Sequence, residues 1–492
     1  MNIFEMARVA LRSSPRLERW RLSHPMPFDF FFTLFSSVGR RLTFGFLVAA
    51  VGWFAFFGVV QDFIAGDPLV QADLRVISFL QTLRTPGFNE VMLFFTYLGN
   101  WQVITAGAVI FAFLTYLSRQ WWWLCAFATS ILGEQLLSQV MKFMFHRDRP
   151  NLENALLPAA GGSFPSGHTL VAFAFYGFIA CYAVRHVRNW LVKTLIVAGA
   201  VLVILGIGFS RIYLGVHWPS DVIASLALGP AWVATVLTVF KLTWPATAPD
   251  GLRPTSRWVV AAGLMVWMVA VVAFFLTHPL VARVAASQQP IALKGRNFDT
   301  QLFGYLPRFT EDITGAQIEP INAVVIGSEA DLDRAFVEAG WVAAVPLSIK
   351  SGLKLIFAEL WNNPDPNAPG LPAFLKGLPN DKTFERATAQ NSARERHHLH
   401  LWTTNLIDDG LAVWAGTAHL DTSANLYRGV TYHKIDPDVD RERDALIQDL
   451  TRSNCVSAEQ VIDVTSPMRG QNIIHNSFFT DGKAIQILLH CN

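Results

Sequence analysis

The feature that most constrains this chain is a series of long apolar runs, almost free of charge, that continues to about Thr277. A helix needs roughly 20 such residues to cross the hydrocarbon core of a membrane. Because lipid offers the backbone no hydrogen-bond partners, each run is expected to be helical. The runs predict seven membrane spans: Leu42 to Val60, Val91 to Leu117, Trp121 to Phe145, Thr169 to Val184, Thr194 to Phe209, Val222 to Phe240 and Trp258 to Thr277.

Charged residues are distributed unevenly along the chain. They make up 15% of all residues, against roughly 25% in soluble domains, and most of them follow Thr277. The net charge of +2 gives no reason to expect a nucleic-acid partner. The sequence therefore predicts an all-α polytopic membrane helical bundle, with a six-helix core and a seventh span, followed by a soluble α+β domain. The expected boundaries are a tail at 1–41, the six spans within 42–243, the seventh within 244–279 and the soluble domain at 280–492.

Basic residues near the span ends predict the orientation, since cytoplasmic loops are enriched in Lys and Arg. Seven arginines precede the first span: Arg8, Arg12, Arg16, Arg19, Arg21, Arg40 and Arg41. The loops near Arg119, Arg185 to Lys193 and Lys241 to Arg257 are also basic. These loops and the N-terminal tail are therefore predicted to lie inside. The other loops, at about 61–90, 146–168 and 210–221, then face outside together with everything after Thr277.

Two of the outer loops carry residues suited to binding phosphate. One runs from Lys142 to Pro150 and on through Pro165-Ser166-Gly167-His168, and the other runs from Ser210 to Asp221. Lys and Arg side chains neutralise phosphate oxyanions, and Arg can bind two oxygens at once. A Ser-Gly pair that opens a helix presents free backbone N–H groups to an anion. The sequence thus predicts an anion site on the outer side of the membrane.

A histidine and a carboxylate are four residues apart in the second loop. If the helix has begun by this point, His217 and Asp221 share one face of it. The carboxylate would then orient the imidazole and stabilise its cation, as an acid does beside the histidine of many hydrolases. Glu134, in the middle of the third span, is a further functional candidate. A packing hydrogen bond and a position near the lipid headgroup are both open for it.

The three segments resemble the three-part signature of the type 2 phosphatidic acid phosphatase superfamily. That signature is Lys, six residues and Arg-Pro; then Pro-Ser-Gly-His; then Ser-Arg, five residues, His, three residues and Asp. Every fixed position is present here with the right spacing, between Lys142 and Asp221. The resemblance covers roughly residues 42–243. A lone Lys, Arg or His at a span end is usually a membrane anchor or a structural residue. The joint pattern is what makes the resemblance specific.

The resemblance implies roles for individual residues. His217 would be the nucleophile that forms a phosphohistidine, and Asp221 would orient it. His168 would protonate the leaving group and later help water to cleave the intermediate. The phosphoryl oxygens would be held by Lys142, Arg149, Ser166, Gly167 and Arg211. The superfamily also implies that no metal or other cofactor takes part, which agrees with a site that has one obvious carboxylate.

The resemblance leaves the substrate open. Undecaprenyl diphosphate, phosphatidylglycerol phosphate and phosphatidic acid all fit a lipid phosphate phosphatase of the bacterial inner membrane that acts at the periplasmic face. Phosphate transfer onto another lipid such as lipid A would use the same residues. Vanadium haloperoxidases share the signature, but membrane embedding argues against their chemistry. A non-enzymatic scaffold or transporter with a partner-binding outer domain is the alternative of a different class.

The C-terminal part mixes strand and helix patterns without strict alternation. Strands are predicted at Ile321 to Ile326, His398 to Thr404, Ala412 to Leu420 and Ala484 to Leu489. Ser328 is the expected N-cap of a helix that runs to about Ala339. Two further helices are expected at Leu347 to Trp361 and from Asp436-Pro437 to about Thr451, with Asp436 as the cap of the second.

The His-His-Leu-His-Leu-Trp run, the Trp414-Ala-Gly strand and the segment from His433 to Asp440 are similar to the LssY C-terminal domain. No function is carried over from that domain, and binding of a periplasmic protein partner is one of its open roles. Five histidines form a loose cluster in sequence: His397, His398, His400, His419 and His433. A metal or phosphate site is open for them, although structural roles are favoured. Pairing of Cys455 with Cys491 is likewise open.

Overall fold

The computed structural model describes residues 37–150, 156–157, 161–244, 257–278, 291–293, 298–345, 347–348, 350–352, 354, 372–392, 395–427, 430–471 and 477–491. Most of the predicted N-terminal tail and most of the predicted helix at Leu347 to Trp361 lie outside these residues. The chain divides into two compact units. The first comprises Met1–Ala65, Pro86–Pro150 and Leu156–Arg283, and the second comprises Gly66–Thr85, Asn151–Ala155 and Val284–Asn492.

The first unit is helical in its described residues. Its helices are α1 (Ser37–Ala65), α4 (Pro86–Leu98), α5 (Trp101–Leu117), α6 (Trp121–Phe145), α7 (Gly167–His186), α8 (Trp190–Tyr213), α9 (Pro219–Thr243) and α10 (Arg257–Thr277). A short π-helical turn, Phe173–Gly177, lies within α7. Within the described residues, α1, α7, α8 and α9 are long and apolar enough to cross a membrane. The α4–α5 pair makes a fifth if the two form one span. The total of seven spans stays a prediction.

The second predicted span, Val91 to Leu117, is bent. It consists of α4 and α5, which bend by 43° where they meet. Asn100 lies at the break in an extended conformation, and its side chain accepts a hydrogen bond from the backbone N–H of Trp101. An asparagine in this role is an N-cap, so it starts a new helix within the apolar run. Gly99 precedes it, and a Cβ there would lie 2.9 Å from Ile207.

The helices of the first unit pack closely. At Gly52 of α1, a Cβ would lie 2.7 Å from the backbone oxygen of Ala227 in α9, so the two backbones approach as small residues allow in membrane helices. Aromatic side chains fill the centre between α5, α6 and α7, where Phe111, Phe127 and Phe178 are buried together. This packing fixes the helix ends that carry the signature residues.

The second unit is rich in β-structure, in agreement with the predicted α+β class. Its strands are β1 (Ile291–Ala292), β2 (Phe309–Glu311), β3 (Gln317–Pro320), β4 (Ala323–Ile326), β5 (Val342–Ala343), β6 (Phe374–Leu375), β7 (Leu378–Pro379), β8 (Lys382–Ser392), β9 (Glu395–Asp408), β10 (Leu411–Tyr427), β11 (Val430–Ile435), β12 (Val456–Asp463), β13 (Met468–Gln471), β14 (Ser477–Thr480) and β15 (Lys483–Leu489). The main sheet has the order β12-β15-β4-β10-β9-β8-β5. Its pairs are antiparallel except β15 with β4 and β1 with β9.

Helices α12 (Glu329–Glu338) and α13 (Val439–Leu450) cover one face of this sheet. Phe336 and Leu446 are fully buried there against Leu399 and Leu401 of β9. Helix α11 (Phe298–Tyr305) contributes Leu302 to a second core cluster. Cys455 and Cys491 form a disulfide, which answers the question that the sequence left open.

The caps of α12 and α13 test the sequence predictions directly. Ser328 caps α12, as predicted, because its hydroxyl accepts a hydrogen bond from the backbone N–H of Asp331. The predicted cap of α13, Asp436, is wrong. Asp438 takes this position and accepts from the backbone N–H of Arg441, while Asp436 accepts from the N–H of Asp438. The two carboxylates thus stabilise successive turns of the chain.

The predicted outer loop at 61–90 contains two short helices, α2 (Pro68–Gln71) and α3 (Asp73–Thr82). Both lie in Gly66–Thr85, which belongs to the second unit. Arg75 of α3 donates to Glu311 of β2 at 2.7 Å and 3.1 Å, and Glu311 also accepts from the backbone N–H of Gly377. Gly377 has a positive φ, and a Cβ there would lie 2.5 Å from Leu74. The segment is therefore part of this unit's packing.

Removing either cap should loosen the first turn of its own helix. We expect Ser328→Ala and Asp438→Ala each to cost about 1 kcal/mol, which corresponds to roughly fivefold faster exchange of the first-turn amides. Hydrogen–deuterium exchange of the full chain in detergent, read by mass spectrometry, measures both helices at once. Each variant is the control for the other. Equal acceleration of both helices, or of neither, would contradict the assignment of the caps.

Candidate active site

The residues of the predicted site come from five places in the first unit. Lys142 lies in the last turn of α6, Arg149 in the loop that follows, and Ser166 to His168 at the start of α7. Arg211 lies in the last turn of α8, while His217 and Asp221 flank the start of α9. Contacts among these residues show that the fold brings the three sequence segments together.

His217 and Asp221 are joined as their spacing predicts. The Nδ1 atom of His217 lies 3.2 Å from Oδ2 of Asp221, and both side chains are buried, at 1% and 0% exposure. The same carboxylate oxygen accepts the backbone N–H of Trp218 at 3.0 Å. Because an ionised carboxylate only accepts hydrogen bonds, this geometry assigns the imidazole proton to Nδ1. The lone pair of Nε2 is then directed away from Asp221.

The second ring nitrogen of His217, Nε2, lies next to Arg149. One guanidinium nitrogen, Nη1, lies 3.1 Å from Nε2 of His217 and donates to the backbone oxygen of Val216 at 2.8 Å. Since a guanidinium only donates, Nε2 is the acceptor. Burial lowers the pKa of His217 well below its usual range, and the positive charges of Arg211, Arg149 and Lys142 lower it further. The imidazole is therefore neutral, with its basic nitrogen among cations.

Lys142 and Arg211 complete the cationic lining. A Cβ at Gly167 would lie 3.4 Å from Nζ of Lys142, so the ammonium group stands beside the first turn of α7. Arg211 is 7% exposed and donates from Nη1 to the hydroxyl of Thr96 at 2.6 Å. Thr96 belongs to α4 and lies outside all three segments, so sequence reasoning missed it. Nothing in the sequence signals its contact with Arg211.

Arg147 is a second residue that sequence reasoning missed. Its Nη1 atom donates to Oδ1 of Asp221 at 2.6 Å and to the hydroxyl of Ser220 at 2.7 Å. The guanidinium also lies over the rings of Phe63 and Trp218. Arg147 stands in the variable interval between Lys142 and Arg149, where the signature fixes no residue. The only available signal was that Arg147 is a basic residue in a signature segment, while the signature has one acid, Asp221, that needs a partner.

The start of α7 is held by hydrogen bonds from α9 and from α7 itself. Ser166 is the N-cap residue, and its backbone N–H donates to the backbone oxygen of Asp221 at 3.3 Å. Ser225 of α9 donates to the backbone oxygen of Ser166, and Thr169 donates to the Ser166 hydroxyl. His168 follows directly and interacts electrostatically with Arg211, His217, Lys142 and Arg149. The second histidine thus belongs to the same charged cluster.

Glu134 lies in α6 two turns before Lys142. It is 2% exposed, and neither of its carboxylate oxygens has a hydrogen-bond partner among the described residues. The packing hydrogen bond considered for it is therefore not observed. Glu134 lies close enough to Lys142 for the two groups to interact electrostatically.

The assembled site can bind an anion and present a nucleophile to it. Three cationic side chains and the N-terminus of α7 converge, and such a preorganised arrangement stabilises phosphoryl oxygens. A neutral imidazole held by a carboxylate stands among them. Its Nε2 atom, which faces Arg149 and not Asp221, is the atom that could act as a nucleophile.

The model of the PAP2 superfamily matches residues 123–245, which include all the site residues above except Thr96. Phosphatidylglycerophosphatase B of Bacillus subtilis is 33% identical over 187 residues, which cover 36% of this chain and 88% of that protein. The chain belongs to the PAP2 superfamily. The LssY C-terminus model matches residues 303–484, so the second resemblance is confirmed too.

Other members of the superfamily are also similar. A putative undecaprenyl-diphosphatase of Escherichia coli is 36% identical over 108 residues, which span about half (49%) of that protein and 21% of this chain. The undecaprenyl-diphosphatase of Sulfolobus acidocaldarius is 26% identical over 200 residues, 89% of its length and 39% of this chain. The crystal structure of a PAP2-type phosphatidylglycerolphosphate phosphatase from Bacillus subtilis matches with a TM-score of 0.36 and 27% identity, covering 40% of this chain and 98% of that one. The prediction of a phosphatase is confirmed at the level of the superfamily.

The contact between Thr96 and Arg211 predicts a loss of activity outside the signature. Thr96→Val keeps the shape but leaves the buried guanidinium without this acceptor, which costs about 1.5–3 kcal/mol for a bond to a charged group. We expect kcat/KM for phosphate release to fall roughly 10- to 100-fold. Thr115→Val is the matched control, because this buried threonine bonds only to carbonyls of its own helix in the described structure. Equal rates in the two variants would remove Thr96 from the site.

Proposed function

We propose that this PAP2 protein hydrolyses a lipid phosphate or diphosphate through a phosphohistidine formed on His217. The observation that carries the proposal is the position of the His217 imidazole, between Asp221 at Nδ1 and Arg149 at Nε2. The carboxylate fixes the tautomer, and the guanidinium occupies the direction from which a phosphoryl group would approach.

The reaction has two steps. Nε2 of His217 attacks phosphorus, the bond from phosphorus to the lipid oxygen breaks, and His168 donates a proton to the leaving oxygen. Water then attacks the phosphohistidine, His168 takes up its proton, and the P–N bond breaks to release inorganic phosphate. Lys142, Arg149 and Arg211, with the start of α7 at Ser166 and Gly167, bind the phosphoryl oxygens throughout. Asp221 stabilises the imidazole as it gains positive charge, and Arg147 holds Asp221 in place.

The named activities of the relatives favour two substrate classes. Phosphatidylglycerophosphatase and undecaprenyl-diphosphatase activities belong to the relatives described above. Undecaprenyl diphosphate and a phospholipid phosphate are accordingly the substrates proposed for this chain. A lipid A 1-phosphatase of Rhizobium etli is 30% identical over 153 residues, so lipid A phosphate is a further candidate. Phosphotransfer to a second lipid, which would use the same site, is the alternative reaction.

We place the reaction at the outer face of the bacterial inner membrane. The basic residues before the first span and near Arg119, Arg185 to Lys193 and Lys241 support this orientation. The same count puts the second unit in the periplasm. A disulfide between Cys455 and Cys491 fits an oxidising compartment.

The substrate is identified by phosphate release from the purified chain in detergent with a chelator present. Undecaprenyl diphosphate, phosphatidylglycerol phosphate, phosphatidic acid and a soluble phosphate ester should be compared. We expect one lipid to be preferred and His217→Ala to reduce its rate at least about 1,000-fold. Release that needs an added metal, or that survives in His217→Ala, would contradict the mechanism. Phosphate found on a second lipid instead of in water would establish the transferase.

Trapping the intermediate separates the two histidines. With substrate labelled at the transferred phosphorus, an acid quench tests for histidine-bound label by its stability in base and loss in acid. With a substrate whose leaving group needs no proton, we expect His168→Ala to accumulate more labelled protein than the wild type, because only water attack is then slowed, and His217→Ala to show none. His186→Gln, at the opposite end of the same helix as His168, should match the wild type. Label retained in His217→Ala would assign the nucleophile elsewhere.

Cysteine labelling tests the orientation. Glu459→Cys, on the exposed part of β12, and Arg188→Cys, in a predicted inner loop, are compared after Cys125 and Cys181 have been replaced by Ser. A membrane-impermeant maleimide should label Glu459→Cys in intact spheroplasts and Arg188→Cys after lysis alone. The reverse result would place the second unit in the cytoplasm.

A further inference from the structure

Three buried histidines of the second unit share one face of the main sheet. His398 and His400 are two residues apart on β9, and His419 is paired directly with His398 across the β9–β10 ladder. Their exposures are 4%, 4% and 8%. One ring nitrogen from each lies within 4.8 Å of the others, so a single ion could reach all three.

The histidines lie on the sheet face away from α12 and α13. Residues alternate between the two faces of a strand, and the apolar neighbours Leu399 and Leu401 of β9 pack in the helix-covered core. His397 likewise has its Nδ1 atom 2.8 Å from Glu442 of α13. The three clustered imidazoles are therefore separated from His397 by the sheet itself.

Carboxylates surround this cluster at distances that suit a metal site. Oε2 of Glu319 lies 2.9 Å from Nδ1 of His419. The two oxygens of Asp421 lie 3.5 Å from Nε2 of His398 and 3.6 Å from Nε2 of His419. A carboxylate that accepts the Nδ1 proton of a histidine leaves its Nε2 lone pair for a metal, which is the usual second-shell arrangement.

His400 and His398 have further polar neighbours. The hydroxyl of Thr383 lies 3.2 Å from Nδ1 of His400. Oε1 of Glu385 lies 3.4 Å from Nε2 of His398, while its other oxygen accepts from Arg396 at 2.6 Å. Each imidazole thus has a polar neighbour within 3.6 Å.

Negatively charged groups are buried next to the imidazoles. The carboxylates of Glu319, Glu385 and Asp421 are all buried, and Arg396 pairs with Glu385. Buried charge is costly unless it is compensated by a partner or a metal. A divalent cation held by the imidazoles would compensate negative charge at this point.

We propose that His398, His400 and His419 bind a zinc ion, with Asp421 as the fourth ligand. Three imidazoles and one carboxylate form a donor set that suits zinc and excludes calcium and magnesium, which take oxygen ligands. Adjacent ligand atoms around a tetrahedral zinc ion are about 3.4 Å apart, so small ring rotations would close the site from the separations above. Glu319 and Thr383 are positioning residues for His419 and His400.

Metal content of the full chain tests the proposal. The protein carries a purification tag without histidine, is treated with a chelator in detergent, dialysed, and titrated with ZnCl₂. We expect one zinc ion per chain by mass spectrometry of the metal, and a visible d–d absorption typical of tetrahedral coordination when CoCl₂ is used instead. Zinc uptake by the wild-type chain, and its reversal by a chelator, are measured without a substrate. The result is therefore independent of the proposed phosphatase function.

Variants locate the ion. His398→Gln and His419→Gln should each lower the zinc affinity at least about 100-fold, and Glu319→Gln should lower it roughly 10- to 100-fold as a second-shell change. His397→Gln is the matched control, because His397 belongs to the same strand but its side chain lies on the opposite, helix-covered face of the sheet. Wild-type protein that binds no zinc at micromolar concentration would overturn the proposal, and so would equal loss of zinc in His397→Gln.

Discussion

The buried carboxylate of Asp221 connects most parts of the phosphatase site. Its two oxygens contact His217, the backbone of Trp218 and Arg147, and its backbone oxygen accepts from Ser166. One side chain thereby caps α9, orients the imidazole and fixes the loop after α6. A fully buried carboxylate is stable only when hydrogen bonds and opposite charges offset its loss of hydration. Here the groups that offset it include His217, which is also the proposed nucleophile.

The signature residues were predictable because their chemistry depends on short spacings. The interval of four between His217 and Asp221 places both at the beginning of one helix, and the contact follows. Arg147 and Thr96 were not predictable in the same way, since each acts on a residue far along the chain. The break at Asn100 was hidden because the residues on both sides of it are apolar. Hydropathy averaged over a window does not reveal a single capping residue, whereas one capping side chain is enough to start a new helix.

The sheet-rich unit shows the same limit. Alternation along β9 correctly suggested that His398 and His400 share a face, but the pairing of β10 decides whether His419 joins them. That pairing depends on register, and a shift by one residue would send His419 to the helix-covered face. The cap of α13 at Asp438 was missed because three alternating aspartates offer equivalent starts, and tertiary packing selects among them.

The ion pair of Arg75 with Glu311 has a consequence for how the chain is made. The two residues are 236 positions apart, and Gly66–Thr85 belongs to the unit whose strands follow the helices of the first unit in the chain. The ribosome delivers this segment directly after the first membrane helix. It must then wait, without its partner, while all the later membrane helices are inserted. Packing of Gly66–Thr85 can therefore be completed only after the strand that carries Glu311 has been made.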